Sequence, residues 1–156
     1  MRGSCSVWPE THKRANLELA MLRRMLDLHR PLLDEVRSSE PGITELSALA
    51  AVLHSFYTGI ENIFKGIAVE IDDSFASGEF SHAGLLHQVA QPTDRRPAVI
   101  SEDLRRQLRY YLDFRHMFRH AYTIELKWRK MADLVLHCEE TLDRLQTELE
   151  AFFASD

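Results

Sequence analysis

Leu46-Ser-Ala-Leu-Ala-Ala-Val-Leu-His-Ser-Phe-Tyr-Thr-Gly-Ile-Glu-Asn-Ile-Phe-Lys-Gly-Ile-Ala-Val-Glu-Ile71 carries apolar residues at Leu46, Leu49, Leu53, Phe56, Ile60, Ile63, Phe64, Ile67 and Ile71. Steps of three and four sustained over this length are the period of one helix face. The Pro41-Gly42 pair ahead of it breaks the chain, and the pattern runs out near Asp72. Before that breaker, Leu17, Met21, Leu22, Met25, Leu28, Leu32, Leu33 and Val36 predict a first helix from Pro9 to Ser38, bent at Pro31. Gly59 and Gly66 lower the propensity of the second helix and mark a close approach of another backbone, in the core or at a dimer seam. Crossing within the core is the commoner cause.

Downstream, Ser74 to Gly78 reads as a loop. Phe80 to Ala90 reads as a short helix with Leu85, Leu86 and Val89 inward, and Gln91 to Ile100 as a second loop holding Pro92 and Pro97. Ser101 can then cap a new helix, with Glu102 and Asp103 at the positive end of its dipole. A last apolar stripe, Trp128, Met131, Leu134, Val135, Cys138, Leu142, Leu145, Leu149, Phe152 and Phe153, gives a final helix. A break between Ile124 and Lys127 is required by compactness, since one helix from Ser101 to Phe153 would span roughly 80 Å. No strand-like alternation competes anywhere. The expected class is all-α, an up-and-down bundle of four long helices plus a short one, forming a single domain over residues 1–156 with residues 1–8 flexible.

Composition agrees with one ordinary globular core: 156 residues, 45% hydrophobic and 28% charged. Met1 to Trp8 has no apolar export region, and no stretch reaches the length of a membrane span. Only Cys5 and Cys138 occur, too few for a disulfide framework or a cysteine zinc site. A cytoplasmic protein without a membrane partner is expected. The net charge of −5 argues against a generally basic nucleic-acid binder. Its distribution matters more: from Arg105 to Lys130 there are eight basic residues against two acids.

Inside that basic island lies Arg115-His-Met-Phe-Arg-His120-Ala-Tyr122. At about 100° per residue, Tyr110, Phe114, Met117, Phe118, Ala121 and Ile124 fall on one arc, expected to pack inward. Arg115, Arg119 and Tyr122 then stand nearly in line on the opposite arc, with His116 and His120 beside them. Such a face repels itself unless an anion, or a carboxylate from another element, sits opposite it. The chemistry it suits is binding or cleavage of a phosphodiester. Arginine supplies a planar, always-charged fork for phosphate oxygens, and histidine supplies proton transfer near neutral pH. His120 is the natural base for a ribose 2′-hydroxyl or acid for the leaving 5′-oxygen. One histidine cannot easily do both, and a twofold dimer would supply two without any metal.

Arg115-x4-His120-x-Tyr122 resembles the signature of the HEPN superfamily. Ser55-Phe-Tyr57-Thr-Gly-Ile-Glu61-Asn-Ile-Phe64 resembles the second-helix segment of HepT-like ribonuclease toxins, and Pro97-Ala-Val-Ile-Ser101-Glu and Phe114 to Tyr122 resemble further segments of one HepT-like branch. The resemblance implies a HEPN-like bundle and a metal-independent endoribonuclease that works as a homodimer without a cofactor. Arg115 and His120 would be catalytic, with Arg119, His116 and Arg109 as candidates for holding RNA. It also implies a cognate MntA-like nucleotidyltransferase antitoxin that transfers AMP onto the motif tyrosine, here Tyr122. A phosphate appended beside Arg115 and Arg119 would occupy the place of the RNA phosphate.

Other readings stand beside these. Arg115 and Arg119 can bridge to acids of neighbouring helices such as Glu61 or Glu70. His116 and His120 have the spacing of two metal ligands, with His82, His87, His137 or Asp113 to complete a set, although adjacent arginines oppose a divalent cation. His12, His29 and His54 show no partner spacing and read as ordinary polar positions. The Glu139, Glu140, Asp143, Glu148 and Glu150 run reads as a solvated face. At the level of function the alternatives are a non-catalytic helical dimer acting as partner or substrate-recognition subunit of a nucleotidyltransferase, and a structural bundle with internally paired arginines.

Overall fold

The computed structural model describes residues 6–74, 81–120, 122 and 125–155, and among these it is all-α. The order is α1 (Pro9–Leu28), α2 (Arg30–Glu35), α3 (Ile43–Glu70), α4 (Ser81–Val89), α5 (Glu102–His120), α6 (Trp128–Leu136) and α7 (Cys138–Ala154). The expected bundle of four long helices and a short one is present, with the first and last helices each broken once. Residues 1–5, most of the Ser74 to Gly78 loop, and Phe80, Ala121 and Ile124 lie outside the described residues.

The first break follows from Pro31, which has no amide hydrogen to give the Asp27 carbonyl and whose ring crowds the preceding turn. His29 takes φ −102° and ψ 12° there, and Pro31 falls in the first turn of α2, where a missing amide costs nothing. The second break, at His137, has neither proline nor glycine. Instead the Tyr111 hydroxyl of α5 donates to the Leu134 carbonyl at 2.8 Å, the acceptor a straight helix would pair with the Cys138 amide. The Thr141 hydroxyl takes up the His137 carbonyl at 2.9 Å.

The central element is α3, whose Leu49, Phe56, Tyr57, Ile60, Phe64 and Ile67 are fully buried. Each such side chain contributes roughly 1.5–3 kcal/mol through removal of apolar surface from water. Against it α1 lays Ala15, Leu19, Leu22 and Leu26, a seam in alternating steps of four and three. Leu17, Met21 and Leu28, expected in the apolar stripe, are exposed, because this narrow seam buries one line of residues and leaves the neighbouring line outside. Gly59 permits the crossing, since a Cβ there would lie 2.6 Å from Leu22 Cδ2. Gly66 faces open space, so the close approach expected at both glycines occurs at Gly59 alone.

Three further contacts fix the frame around α5. Trp8, expected in a flexible segment, stacks on Phe152 of α7 at 5.4 Å, and His12 stacks on Phe153 at 4.5 Å. Ser101 caps α5 as expected, its Oγ accepting the Leu104 amide at 3.1 Å. The third was invisible in the sequence. Arg96, in the loop before α5, is buried and spends all five N–H donors: Nε and Nη2 reach the two Asp72 carboxylate oxygens at 2.6 and 2.7 Å, and the rest go to the carbonyls of Gln88, Gln91 and Pro97. Burial works against the Asp72 carboxylate, but the hydrogen bonds from Arg96 and Gln88 outweigh it and hold the carboxyl below its ordinary value. The acidic run on α7 is also more engaged than expected, for Glu139 and Asp143 pair with Arg30 and Arg23. Burial pushes the Cys138 thiol up to about 11, so it packs as a small apolar group. Among the described residues no helix is long and apolar enough to cross a membrane.

Candidate functional site

The motif arginines continue the buried stripe of their own helix. Leu104, Leu108, Tyr111 and Leu112 are buried, and Arg115 and Arg119 follow them in the same sector at about 100° per residue. This corrects the expected phase. Tyr110 is 67% exposed and Met117 38%, although both were expected inside, while Phe114 is buried and Phe118 packs against it. The physical reason is the Leu104, Leu108, Leu112 row. It seats the first turns of α5 on the core and rotates the aromatic arc so that its edge, not its middle, faces inward.

Where the apolar floor ends, α3 supplies polar groups. Arg115 Nε donates to Thr58 Oγ at 3.2 Å, and that hydroxyl donates to the His54 carbonyl one turn back at 2.9 Å. The helix backbone thereby orients the hydroxyl, and the hydroxyl orients the guanidinium. Arg115 is half-buried and Arg119 exposed, and among the described residues neither forms an ion pair. Glu61 is taken by His82 and Lys65, and Glu70 by Thr11 and Arg14, so the alternative reading, in which the arginines bridge to those acids, does not hold.

His116 and His120 occupy the adjacent outward sector, with ring centroids 4.9 Å apart and planes edge-on. Arg109 shares that sector about two turns upstream and pairs with Asp113 at 2.9 Å. Arg105 and Arg106 likewise pair with Glu102 and Asp103. The basic island is thus neutralised locally along the first half of α5. Among the described residues, its cations without an ion pair are Arg115 and Arg119, near the negative end of the helix dipole, and Lys127, Arg129 and Lys130 beyond the helix. Contrary to expectation, Tyr122 is not in line with Arg115 and Arg119. The helix ends at His120, and Tyr122 lies beyond it, 78% exposed, its carbonyl accepting the Glu125 amide at 2.9 Å. Thr123-Ile124, a β-branched pair of low helix propensity, follows it in sequence.

Sequence reasoning passed over His54 and Thr58. His54 tilts against Phe118 with centroids 5.7 Å apart. Burial, then the charges of Arg115 and Arg119, lower its pKa, so the ring is neutral near pH 7. The available signal was a pair of polar residues at i, i+4 on the helix with the longest apolar stripe. Residues 48–155, from the first turns of α3 to the end of α7, match the model of a family described as HepT-like protein.

The chain belongs to this HepT-like family of the HEPN superfamily.

The match takes in every side chain of the site. No curated protein and no solved structure matches the chain. In this HepT-like protein two guanidinium groups, one oriented by Thr58, can grip a phosphate, with imidazoles on either side of them. Among the described residues no three His, Cys, Asp or Glu side chains come together in a set that could hold a metal ion. On the opposite flank of α5 a cavity of about 900 Å³ opens towards α6 and α7, lined by Tyr110, Met117, Leu134, Lys130 and Asp133 among others. Both charge signs border it, so it has no electrostatic preference for a polyanion.

Proposed function

We propose that this HepT-like protein is a metal-independent endoribonuclease toxin. Arg115 and Arg119 hold the scissile phosphate and stabilise charge on it as the bond breaks, and His120 transfers a proton. The observation that carries the reading is the pair of arginines without ion-pair partners among the described residues, one of them aimed by Thr58, beside the exposed His116 and His120. Arg115 is held by one edge of its guanidinium, which leaves its remaining donors for an anionic ligand. Arg109, already paired with Asp113, contributes RNA contacts only by exchanging that partner.

The working form is a homodimer, supported by the exposed Met21 of α1, which with Met25 borders the same concavity as His54 and Thr58. Silencing comes from a nucleotidyltransferase antitoxin that adds AMP to Tyr122, whose exposure beyond the helix end suits it to enter another enzyme's active site. The appended phosphate then competes with RNA for Arg115 and Arg119.

The same exposure of Tyr122 favours a second reading, a non-catalytic dimer that presents this tyrosine to a nucleotidyltransferase. Cleavage of a mixed RNA in EDTA separates the two, using protein whose intact mass shows no AMP. The toxin reading expects cleavage by wild type and a loss of about 100-fold or more in both Arg115→Ala and His120→Ala at unchanged thermal midpoint. RNA left intact by the unmodified wild type would favour the non-catalytic partner.

A further inference from the structure

Between α5 and α6 the chain sets out three cations that neither the fold nor the motif uses. Lys127 takes extended backbone, φ −131° and ψ 125°, in which successive side chains point to opposite sides. Leu126 is buried and Trp128 packs against the core, so Lys127 between them is turned outward. Arg129 and Lys130 are exposed as well, and Met131 behind them is fully buried. Three apolar anchors thus fix a short segment whose basic side chains all face water.

No acid answers these charges. Glu125 and Asp133, the nearest acids in sequence, pair with none of the three among the described residues, although Asp133 stands at i+4 from Arg129 and i+3 from Lys130. Cations in the opening turn of a helix oppose its dipole, and α6 has no acid in that turn and no side-chain cap. The three charges therefore work against the helix they open. In a chain of net charge −5, residues 115–130 hold five Lys and Arg against Glu125 alone.

The patch is close to the motif. Lys127 follows His120 by seven positions, at most about 25 Å at full extension. The Glu125 amide, bonded to the Tyr122 carbonyl at 2.9 Å, draws the two closer. Lys130 and Met117, from the last turns of α5, border the same cavity. That cavity lies on the flank of α5 away from the concavity between α1 and α3, so the patch does not depend on a face that a second copy would cover.

We propose that Lys127, Arg129 and Lys130 form a second phosphate site, which holds single-stranded RNA beside the linkage being cut. This rests on the ribonuclease reading above. The site is the outer surface of the turn and not the cavity, whose walls carry both signs. Two of the three cations are lysines, a residue type depleted in protein interfaces and suited to phosphate as a flexible point charge. Contacts to phosphate carry no sequence information, so the site raises affinity for any single strand and leaves the choice of linkage to the motif end.

The test compares wild type with the triple variant Lys127→Gln, Arg129→Gln, Lys130→Gln, both as protein whose intact mass shows no AMP. Binding is read by fluorescence anisotropy on a labelled single strand that wild type cuts, with a 2′-O-methyl group at the cleaved position to block the reaction. Each lost phosphate contact removes about 0.7 from the slope of log affinity against log salt, so the variant's slope is expected to be shallower by about 2. Its thermal midpoint should be no lower than that of wild type, since the lost charges oppose the helix dipole. Cleavage should separate by length. On the unblocked full strand the variant's KM rises with kcat unchanged, while a dinucleotide holding the scissile phosphate alone is cut at the wild-type rate. An unchanged slope in the folded variant overturns the proposal in favour of an acidic protein partner, while cleavage by wild type keeps the ribonuclease reading standing. An equal loss on the dinucleotide puts the cations at the scissile phosphate and overturns the flanking site. A wild type that cuts no RNA overturns the ribonuclease reading itself, and the proposal with it.

Discussion

The two ends of α5 treat arginine in opposite ways. Ahead of its start, Arg96 is buried with every donor spent on Asp72 and three backbone carbonyls. At its finish, Arg115 has one hydrogen bond, to a hydroxyl, and no counter-ion among the described residues. The first guanidinium is a structural cross-link between the end of α3 and the loop that feeds α5. The second is held by one edge, and the rest of its fork has no protein partner among the described residues. What the same residue type can do depends on how many of its donors the fold consumes: Arg96 has none left, and Arg115 could offer its remaining donors to the anion of the proposed function.

Substitution at the two ends should separate these roles. The largest effect is expected from Arg96→Met, which leaves the Asp72 carboxylate buried and unpaired and should cost about 3–5 kcal/mol, read from urea unfolding. Acid should expose the same pair. The folded Asp72 carboxyl lies below its unfolded value near 3.9, so its contribution is complete above that value and is lost as pH falls through the folded one. Urea midpoints should therefore drop more steeply below about pH 4 in wild type than in Asp72→Asn. Ser101→Ala, which removes the cap of α5, should cost about 1 kcal/mol by the same measurement. The smallest stability effect is expected from Arg115→Leu, within about 0.5 kcal/mol, alongside a clear loss of RNA binding in a filter assay. An Arg115→Leu cost as large as that of Arg96→Met would erase the distinction between the two ends.

Much of this was legible in sequence because it depends on local periodicity. The stripe of α3, the Ser101 cap and the bend near Pro31 follow from spacing and side-chain chemistry that a chain displays without folding. The phase of α5 was harder. It has apolar residues in two overlapping arcs, and only the packing of Leu104, Leu108 and Leu112 on the core decides that Tyr110 and Met117 stay outside. Arg96 was illegible for a different reason: its partner Asp72 is 24 residues away, and nothing in a proline-containing loop signals a buried charge. His54 read as an ordinary polar position because its meaning comes from Phe118, Arg115 and Arg119 on another helix. Residue types at the site were written in one motif, while the groups that orient them were distributed across the fold.

The hydrogen bond from Tyr111 to the Leu134 carbonyl gives the joint between α6 and α7 a reporter of its own. While the phenol occupies that carbonyl, the Cys138 amide has no claim on it and should exchange its hydrogen for deuterium quickly. Tyr111→Phe returns the carbonyl to the helix ladder, so protection of that one amide measures how firmly the motif helix grips the C-terminal pair.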